Sequence, residues 1–249
     1  APLVKGSRPT GVELWDDWTG GLAWPAPDGP ASPPGMGEIG ARMPGSLGKA
    51  NFPLATRRLD VRTRIDGDLA TTVVDQVFFN PASDDLEGVY RIRLPRGAML
   101  HAFCIDRPKM AGRLVCGYVK ERQAARAQYR SKVYVGSQED PALLEWEAPG
   151  QYKAHLYPIK AGSVRRVVIT YSEWLEHDGG VRRWRYPMAN PSGAGPRVQE
   201  FELLVNLVDS GATRVEAAMG AVVRDNQVVL RRSDFRPRAD FELALHGGG

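Results

Sequence analysis

The alternation of apolar and polar side chains constrains the fold of this chain more than any other feature of its sequence. The alternation runs from Arg58 to Ile65, turn residues follow at 66–68, and a second run extends over 70–79 before Asn80–Pro81. A period of two places successive side chains on opposite faces of a β-strand. The pattern therefore predicts an antiparallel hairpin with one buried face.

Short runs of the same kind continue to the C-terminus and are separated by turn residues. They lie at 86–94, 98–106, 113–120, 152–159, 163–174, 199–208, 213–218, 221–225, 227–232 and 240–245. Strands at this spacing favour a sandwich or barrel over an architecture of alternating strands and helices. We therefore predict an all-β, sandwich-like fold.

Two segments depart from the β pattern. Residues 121–135 are rich in helix-forming side chains, lack Gly and Pro, and precede Gly136, so they predict one amphipathic helix. Residues 1–54 form a Pro/Gly-rich arm, in which we expect no regular element between Gly20 and Gly48. Three indoles of the arm either dock on the body of the protein, which we favour, or anchor a partner: Trp15, Trp18 and Trp24.

The two cysteines lie on neighbouring predicted strands. If Cys104 faces Cys116, the same register pairs Ile105 with Val115 and Phe103 with Gly117, which keeps the apolar residues on one face. Directly opposed residues lie about 4.5 to 5.5 Å apart at Cα, within reach of a disulfide. We therefore predict a cross-strand disulfide and an exported protein; the alternative is two buried thiols in a cytosolic chain.

The charge of the chain is moderately basic. Its net charge is +4 and its pI is about 9.1, mostly because of arginine. A polyanion such as an acidic polysaccharide could bind an Arg-rich surface, although arginines that alternate with apolar residues are also typical of a sheet with one wet face. The candidate contacts are Arg165, Arg166, Arg182, Arg183 and Arg185. We expect no nucleic-acid partner, and no apolar run is long enough for a transmembrane helix.

Several segments in the middle of the chain resemble the VIT family, the vault protein inter-alpha-trypsin domain. The segment 77–81 (VFFNP) is similar to the family's V-x-F-x-N strand end, and 86–98 (LEGVYRIRLPRGA) is similar to its L-E-x-x-Y-x-F-P-L-P-x-G-A segment, with Ile92–Arg93 replacing Phe-Pro. The segment 117–129 resembles the helix entry G-x-V-x-E-K-x-x-A-x-x-x-Y. Two further pieces, 143–159 and 167–171, fit the closing patterns of the family.

The resemblance implies an organisation in three parts. These are the arm at 1–54, a VIT domain at 55–178, and a β-rich extension at 179–249. Residues 234–243 are similar to a strand that leads into a von Willebrand factor A-type domain in this family, so we expect such a domain in the full-length protein. The metal-binding D-x-S-x-S sequence of that domain is absent from this chain, so we carry over no metal site.

No motif with a specific chemistry stands out. The chain has no P-loop, dinucleotide-binding, H-E-x-x-H or G-x-S-x-G motif, and its four histidines are scattered. Glu145 and Glu147 flank Trp146 and could form an acid–base pair, but a solvated strand face is the simpler interpretation. We therefore expect no catalytic residue and no cofactor. The predicted function is protein–protein interaction, in adhesion or assembly; an unrecognised enzyme is the remaining alternative.

Overall fold

The computed structural model describes residues 36–44, 52–107, 110–117, 119–120, 144–189 and 197–247. Within these ranges the chain is all-β, as predicted, and contains no helix. The predicted helix at 121–135 and the three indoles of the arm lie outside the described residues. The strands are β1 Glu38–Arg42, β2 Phe52–Pro53, β3 Ala55–Asp66, β4 Leu69–Phe79, β5 Leu86–Arg93, β6 Met99–Arg107, β7 Met110–Gly117, β8 Val119–Lys120, β9 Leu144–Ala148, β10 Gln151–Ile159, β11 Val164–Trp174, β12 Glu176–Asp178, β13 Val181–Tyr186, β14 Val198–Asp209, β15 Arg214–Ala217, β16 Val222–Arg224, β17 Gln227–Phe235 and β18 Phe241–His246.

The largest sheet has eight strands in the order β16-β17-β14-β3-β4-β11-β6-β7. The predicted hairpin forms its centre, where β3 and β4 are joined by a tight turn with Gly67 at φ 54°. On its other side β3 pairs in parallel with β14, which places Leu59 opposite Phe201. Strands from the C-terminal extension therefore complete the same sheet as the hairpin.

A six-stranded sheet, in the order β2-β1-β5-β10-β9-β8, forms the second layer. Tyr90 of β5 is fully buried, and its ring lies 6.0 Å from that of Phe78 and 6.2 Å from that of Phe103, both in the larger sheet. The Tyr90 hydroxyl donates to Gln76 Oε1 at 2.9 Å, and Gln76 Nε2 donates to the Gly37 carbonyl at 2.8 Å. The two layers thus share one apolar core that is crossed by a satisfied polar network.

Strand β1 contradicts the expectation that the Pro/Gly-rich arm contains no regular element. Residues 38–42 pair along their full length with β5, and Ile39 and Ala41 are buried in the core. Local propensity predicted an irregular segment, but the free edge of β5 and the burial of two apolar side chains outweigh that propensity.

A third sheet, in the order β12-β13-β18-β15, lies at the C-terminal part of the fold. One of its faces is apolar and packs inward, with the ring of Trp184 lying 6.1 Å from that of Phe241. Arg182 is also buried on this face and donates to the carbonyls of Gly67 and Gly247 at 2.8 and 2.6 Å. The Leu175 N–H donates to the Asp68 carbonyl at 2.8 Å. These bonds hold the third sheet against the β3–β4 turn.

The predicted disulfide and its register are confirmed. Cys104 and Cys116 are bonded with an S–S distance of 2.04 Å, Ile105 pairs with Val115, and Phe103 pairs with Gly117. The two Cα atoms lie 3.9 Å apart, which is closer than the separation expected from the sequence. The covalent bond joins the outermost two strands, β6 and β7, of the eight-stranded sheet.

The buried network between the layers gives a direct test of the sandwich. Replacing Tyr90 by Phe keeps the ring but removes the donor to Gln76 Oε1, so a buried acceptor loses its partner. We expect a loss of about 1–3 kcal/mol in the free energy of unfolding, measured by urea denaturation. The control is Tyr152→Phe in the half-buried position on β10, where we expect a smaller change. Equal losses in both variants would contradict the role of the network.

Candidate functional site

A surface cavity of the described residues lies where all three sheets meet. Its volume is about 470 Å³. The β5–β6 turn (94–98) and the β9–β10 turn (149–150) form one wall, and the end of β11 together with β12 and β13 forms the other. We call this cavity the Trp174 cleft, after its most exposed large apolar side chain.

Two glycine turns fix the first wall. Gly97 has a φ of 79°, and the Ala98 N–H donates to the Pro95 carbonyl at 3.1 Å. Gly150 has a φ of 70°, and its carbonyl accepts from the Leu94 N–H at 2.8 Å. A Cβ at position 150 would lie 3.1 Å from the Leu94 carbonyl oxygen, so both conformation and space favour glycine there. The L-P-R-G-A segment therefore builds the rim of the cleft.

Trp174 presents its indole to solvent at the end of β11. Its exposed fraction is 67%, and Met99 on the neighbouring strand β6 is 49% exposed. Met99 pairs with Ser172, so Met99 and Trp174 lie diagonally on the same face of the sheet. Single exposed apolar side chains are common on protein surfaces. A large one beside a cavity indicates a binding surface, because such positions are typical of binding surfaces.

Four arginines line the cleft: Arg93, Arg96, Arg183 and Arg185. Arg183 Nη2 lies 3.6 Å from Asp178 Oδ2, and Arg185 Nη2 lies 3.9 Å from Glu176 Oε1, in long and exposed ion pairs. The side chains of Arg93 and Arg96 have no ion pair or hydrogen bond within the part of the chain that the structure describes. The cleft therefore offers guanidinium groups to an anionic ligand.

Glu173 lies beneath the cleft, next to Trp174 in sequence but on the opposite face of β11. Its carboxylate accepts a hydrogen bond from Trp184 Nε1 at 3.0 Å. Burial raises the pKa of Glu173 to about 7, against the hydrogen bond from Trp184, which lowers it. Near neutral pH this carboxyl is therefore partly protonated, and it offsets less of the arginine charge than an exposed carboxylate would.

A second cavity of about 370 Å³ continues the cleft across the outer face of the third sheet. The two cavities share Arg183, Arg185, Trp184 and Glu176, so together they form one groove. The small side chain of Ala244 lies on the floor of the second cavity, with Glu216 and Glu242 beside it. The groove therefore carries both charges: Glu176 and Asp240 line the cleft together with the arginines, and Glu242 lies opposite Arg185.

The structure does not bring the five arginines proposed as polyanion contacts onto one surface. Arg165 is only 2% exposed and donates to Asp106 Oδ1 at 2.9 Å and to the Pro158 carbonyl at 2.8 Å. Arg166 forms a bidentate pair with Asp75, at 2.9 and 2.6 Å. Arg182 is buried against backbone carbonyls, as described above. Only Arg183 and Arg185 remain exposed, and both line the groove.

The groups that could suggest catalysis are engaged in contacts within the sheets. Glu145 is 2% exposed, so the interpretation of a solvated face was wrong for this residue, and Glu147 Oε1 accepts from Lys153 Nζ at 2.7 Å. His101 Nε2 lies 2.7 Å from Ser172 Oγ, a pair that sequence spacing did not indicate. Among the described residues, no group of three or more His, Cys, Asp or Glu side chains could hold a metal ion.

By its architecture the protein is an all-β sandwich with an added third sheet. The model of the vault protein inter-alpha-trypsin (VIT) domain matches residues 56–171, which extend from strand β3 to strand β11. This confirms the resemblance found in the sequence.

No curated protein matches the chain. No described residue belongs to a helix long and apolar enough to cross a membrane.

The chain is similar to several solved structures at low sequence identity. A protein of Legionella pneumophila described as nutrient-binding is 11% identical with a TM-score of 0.50, over 78% of this chain and 67% of that one. An M1 zinc metallopeptidase of Deinococcus radiodurans is 12% identical with a TM-score of 0.40, over 82% and 44%. Leukotriene A4 hydrolase of Saccharomyces cerevisiae is 8% identical with a TM-score of 0.40, over 77% and 29%. The chain spans less than half of the two enzymes, and the first likeness shows the fold alone.

Glu173 gives the cleft a measurable pH dependence. Because the pKa is raised from 4.5 in the unfolded chain to about 7 in the folded protein, its contribution to stability is complete below pH 4.5 and is lost as the pH rises through 7. Glu173→Gln keeps an acceptor for Trp184 and removes the titration. We expect the wild type to lose up to about 3 kcal/mol relative to this variant between pH 4.5 and 8, measured by urea denaturation.

The matched control for this titration is Glu200→Gln, an exposed carboxyl on β14. It should leave the pH dependence of the wild type unchanged. A Glu173→Gln variant with the same pH dependence as the wild type would show that another group titrates in this range.

The difference between structural and exposed arginines can be tested by removing one of each. Arg165→Met leaves Asp106 and the Pro158 carbonyl without their buried donor, so we expect a loss of about 3–5 kcal/mol in the free energy of unfolding. Arg183→Met removes an exposed guanidinium, and we expect a change within about 0.5 kcal/mol. Denaturation of both variants in urea checks this, and comparable losses would refute the distinction.

Proposed function

We propose that this chain is a non-catalytic protein-interaction domain of an exported protein, with a role in adhesion or assembly. Membership of residues 56–171 in the VIT family supports an interaction domain in general. The Cys104–Cys116 disulfide is consistent with export, because such bonds persist in oxidising compartments. A von Willebrand factor A-type neighbour in the full-length protein stays a prediction that rests on residues 234–243.

The observation that carries the proposal is the exposed indole of Trp174 at the mouth of an arginine-lined groove. Tryptophan and arginine are the side chains most enriched where truncation to alanine weakens protein complexes. An indole also offers a large rigid contact area at a small cost in conformational entropy. These two residue types occur together here on a wall formed by β11 and β13, which are held in place by the core.

We also propose that the cleft has no catalytic activity. Glu173 is the carboxyl of the cleft with the strongest pKa shift, and its acceptor oxygen is engaged by Trp184. A shifted pKa in a cavity is also typical of catalytic acids, so Glu173 is the residue to substitute if a turnover is ever measured. In our proposal its protonation instead tunes the charge of a binding surface.

Affinity capture with a matched pair of tryptophan variants tests the function. The full chain is immobilised and exposed to envelope extract of its source organism at low and high salt, and captured proteins are identified by mass spectrometry. We expect a defined protein to be retained at high salt by the wild type and by Trp146→Ala, whose indole is 50% exposed elsewhere. Trp174→Ala should lose the same protein by about tenfold or more.

Two outcomes would contradict the proposal. Capture that is unaffected by Trp174→Ala would remove the cleft from the interaction. Capture of acidic polymers alone, lost at high salt, would favour the polyanion alternative instead.

A further inference from the structure

We infer that the ligand of the groove is an extended acidic segment of a partner protein, with carboxylate side chains at alternate positions. This inference rests on the proposed function and adds the chemistry of the partner. It follows from the spacing of the arginines, from the long and exposed ion pairs that they form, and from the positions of the acidic side chains in the groove.

Arg183 and Arg185 have the spacing of alternate residues in an extended ligand. Both residues lie on β13, separated by one residue, so their side chains leave the same face of the strand about 6.6 Å apart at Cα. Alternate residues of an extended ligand repeat at this same distance and also point to one side. Two carboxylates at such positions could each meet one guanidinium. Adjacent carboxylates would point to opposite sides, and only one of them would reach the wall.

The guanidinium groups of the cleft are available to a ligand. The ion pairs of Arg183 and Arg185 are long, at 3.6 and 3.9 Å, and their partners are on the exposed edge strand β12. Exposed pairs of this kind contribute little to stability, so a ligand carboxylate can replace the present partner at low cost. Arg93 and Arg96 supply two more guanidinium groups on the opposite wall of the same cleft.

An acidic polysaccharide fits the groove less well than a peptide does. Glu242 lies directly opposite Arg185 on the neighbouring strand β18, and Glu216, which pairs with Arg214, lies beyond Ala244 on the same exposed face. A polymer with a charge on every unit would place a carboxylate against Glu242 and be repelled there. A protein segment can carry its acidic side chains only where the arginines lie and neutral ones elsewhere. The indole of Trp174 can cover the methylene groups of such a segment.

The test uses synthetic peptides of defined pattern and the full chain. A fluorescein-labelled Glu-Thr repeat peptide is titrated with the protein, and binding is followed by fluorescence anisotropy. The comparison peptides have the same length: a Gln-Thr repeat without charge, and a Glu-Glu-Thr-Thr repeat with the same charge but clustered carboxylates. Polygalacturonate serves as the acidic polysaccharide in competition.

We expect the Glu-Thr repeat to bind about tenfold more tightly than either comparison peptide, and raised salt to weaken that binding. The double variant Arg183→Gln/Arg185→Gln should lose the preference for alternation, and Arg93→Gln/Arg96→Gln should weaken binding of the peptide. The control is Arg224→Gln, an exposed arginine on β16 that does not line the groove and has no side-chain ion pair within the described ranges. It should bind as the wild type does.

The outcomes distinguish this inference from the proposed function. Equal affinity for the alternating and clustered peptides, or tighter binding of polygalacturonate, would overturn the inference. If Trp174→Ala still abolished capture of a protein partner in that case, the proposed function would stand with a ligand of different chemistry. If no captured protein depended on Trp174, the proposed function itself would fail, whatever the peptides do.

Discussion

The buried side chain of Tyr90 is the contact on which the arrangement of the two main sheets depends. It belongs to the six-stranded sheet, but its ring contacts Phe78 and Phe103, and its hydroxyl bonds to Gln76, all in the eight-stranded sheet. Because β5 is fixed there, the turn at 94–98 that follows it meets the end of β11. The cleft at the Trp174 end of the groove is therefore a consequence of how the layers pack, because residues of all three sheets line it.

The strands were largely predictable because their periodicity is local. Most of the strands read from the sequence occur in the structure, and the register of Cys104 and Cys116 follows from keeping Phe103 and Ile105 on one face. Strand β1 was missed because its formation depends on the free edge of β5, which no local pattern reveals. The parallel pairing of β3 with β14 joins segments that are far apart in the sequence, so no local pattern predicts it either.

The candidate site was predictable only in part. The sequence indicated Arg183 and Arg185 as exposed contacts, but it also indicated Arg165 and Arg182, which are buried. The reason is that alternation alone does not tell which face of a strand is covered by another layer. Trp174 could have been found from the sequence, since it shares the outward parity of Arg166 on β11. Arg93 and Arg96 could not, because their place in the cleft depends on the contact between the β5–β6 turn and the third sheet.

The pairing of β3 with β14 also sets an order of folding. The two partners Leu59 and Phe201 are separated by most of the VIT domain, so the central sheet cannot close until β14 has been synthesised. Contacts between such distant segments form slowly. Until then β3 exposes an unpaired edge with alternating apolar side chains, which is the form of strand most prone to pair with another chain. Pairing with β14 therefore completes the sheet and also removes the edge at which β3 could associate with another chain.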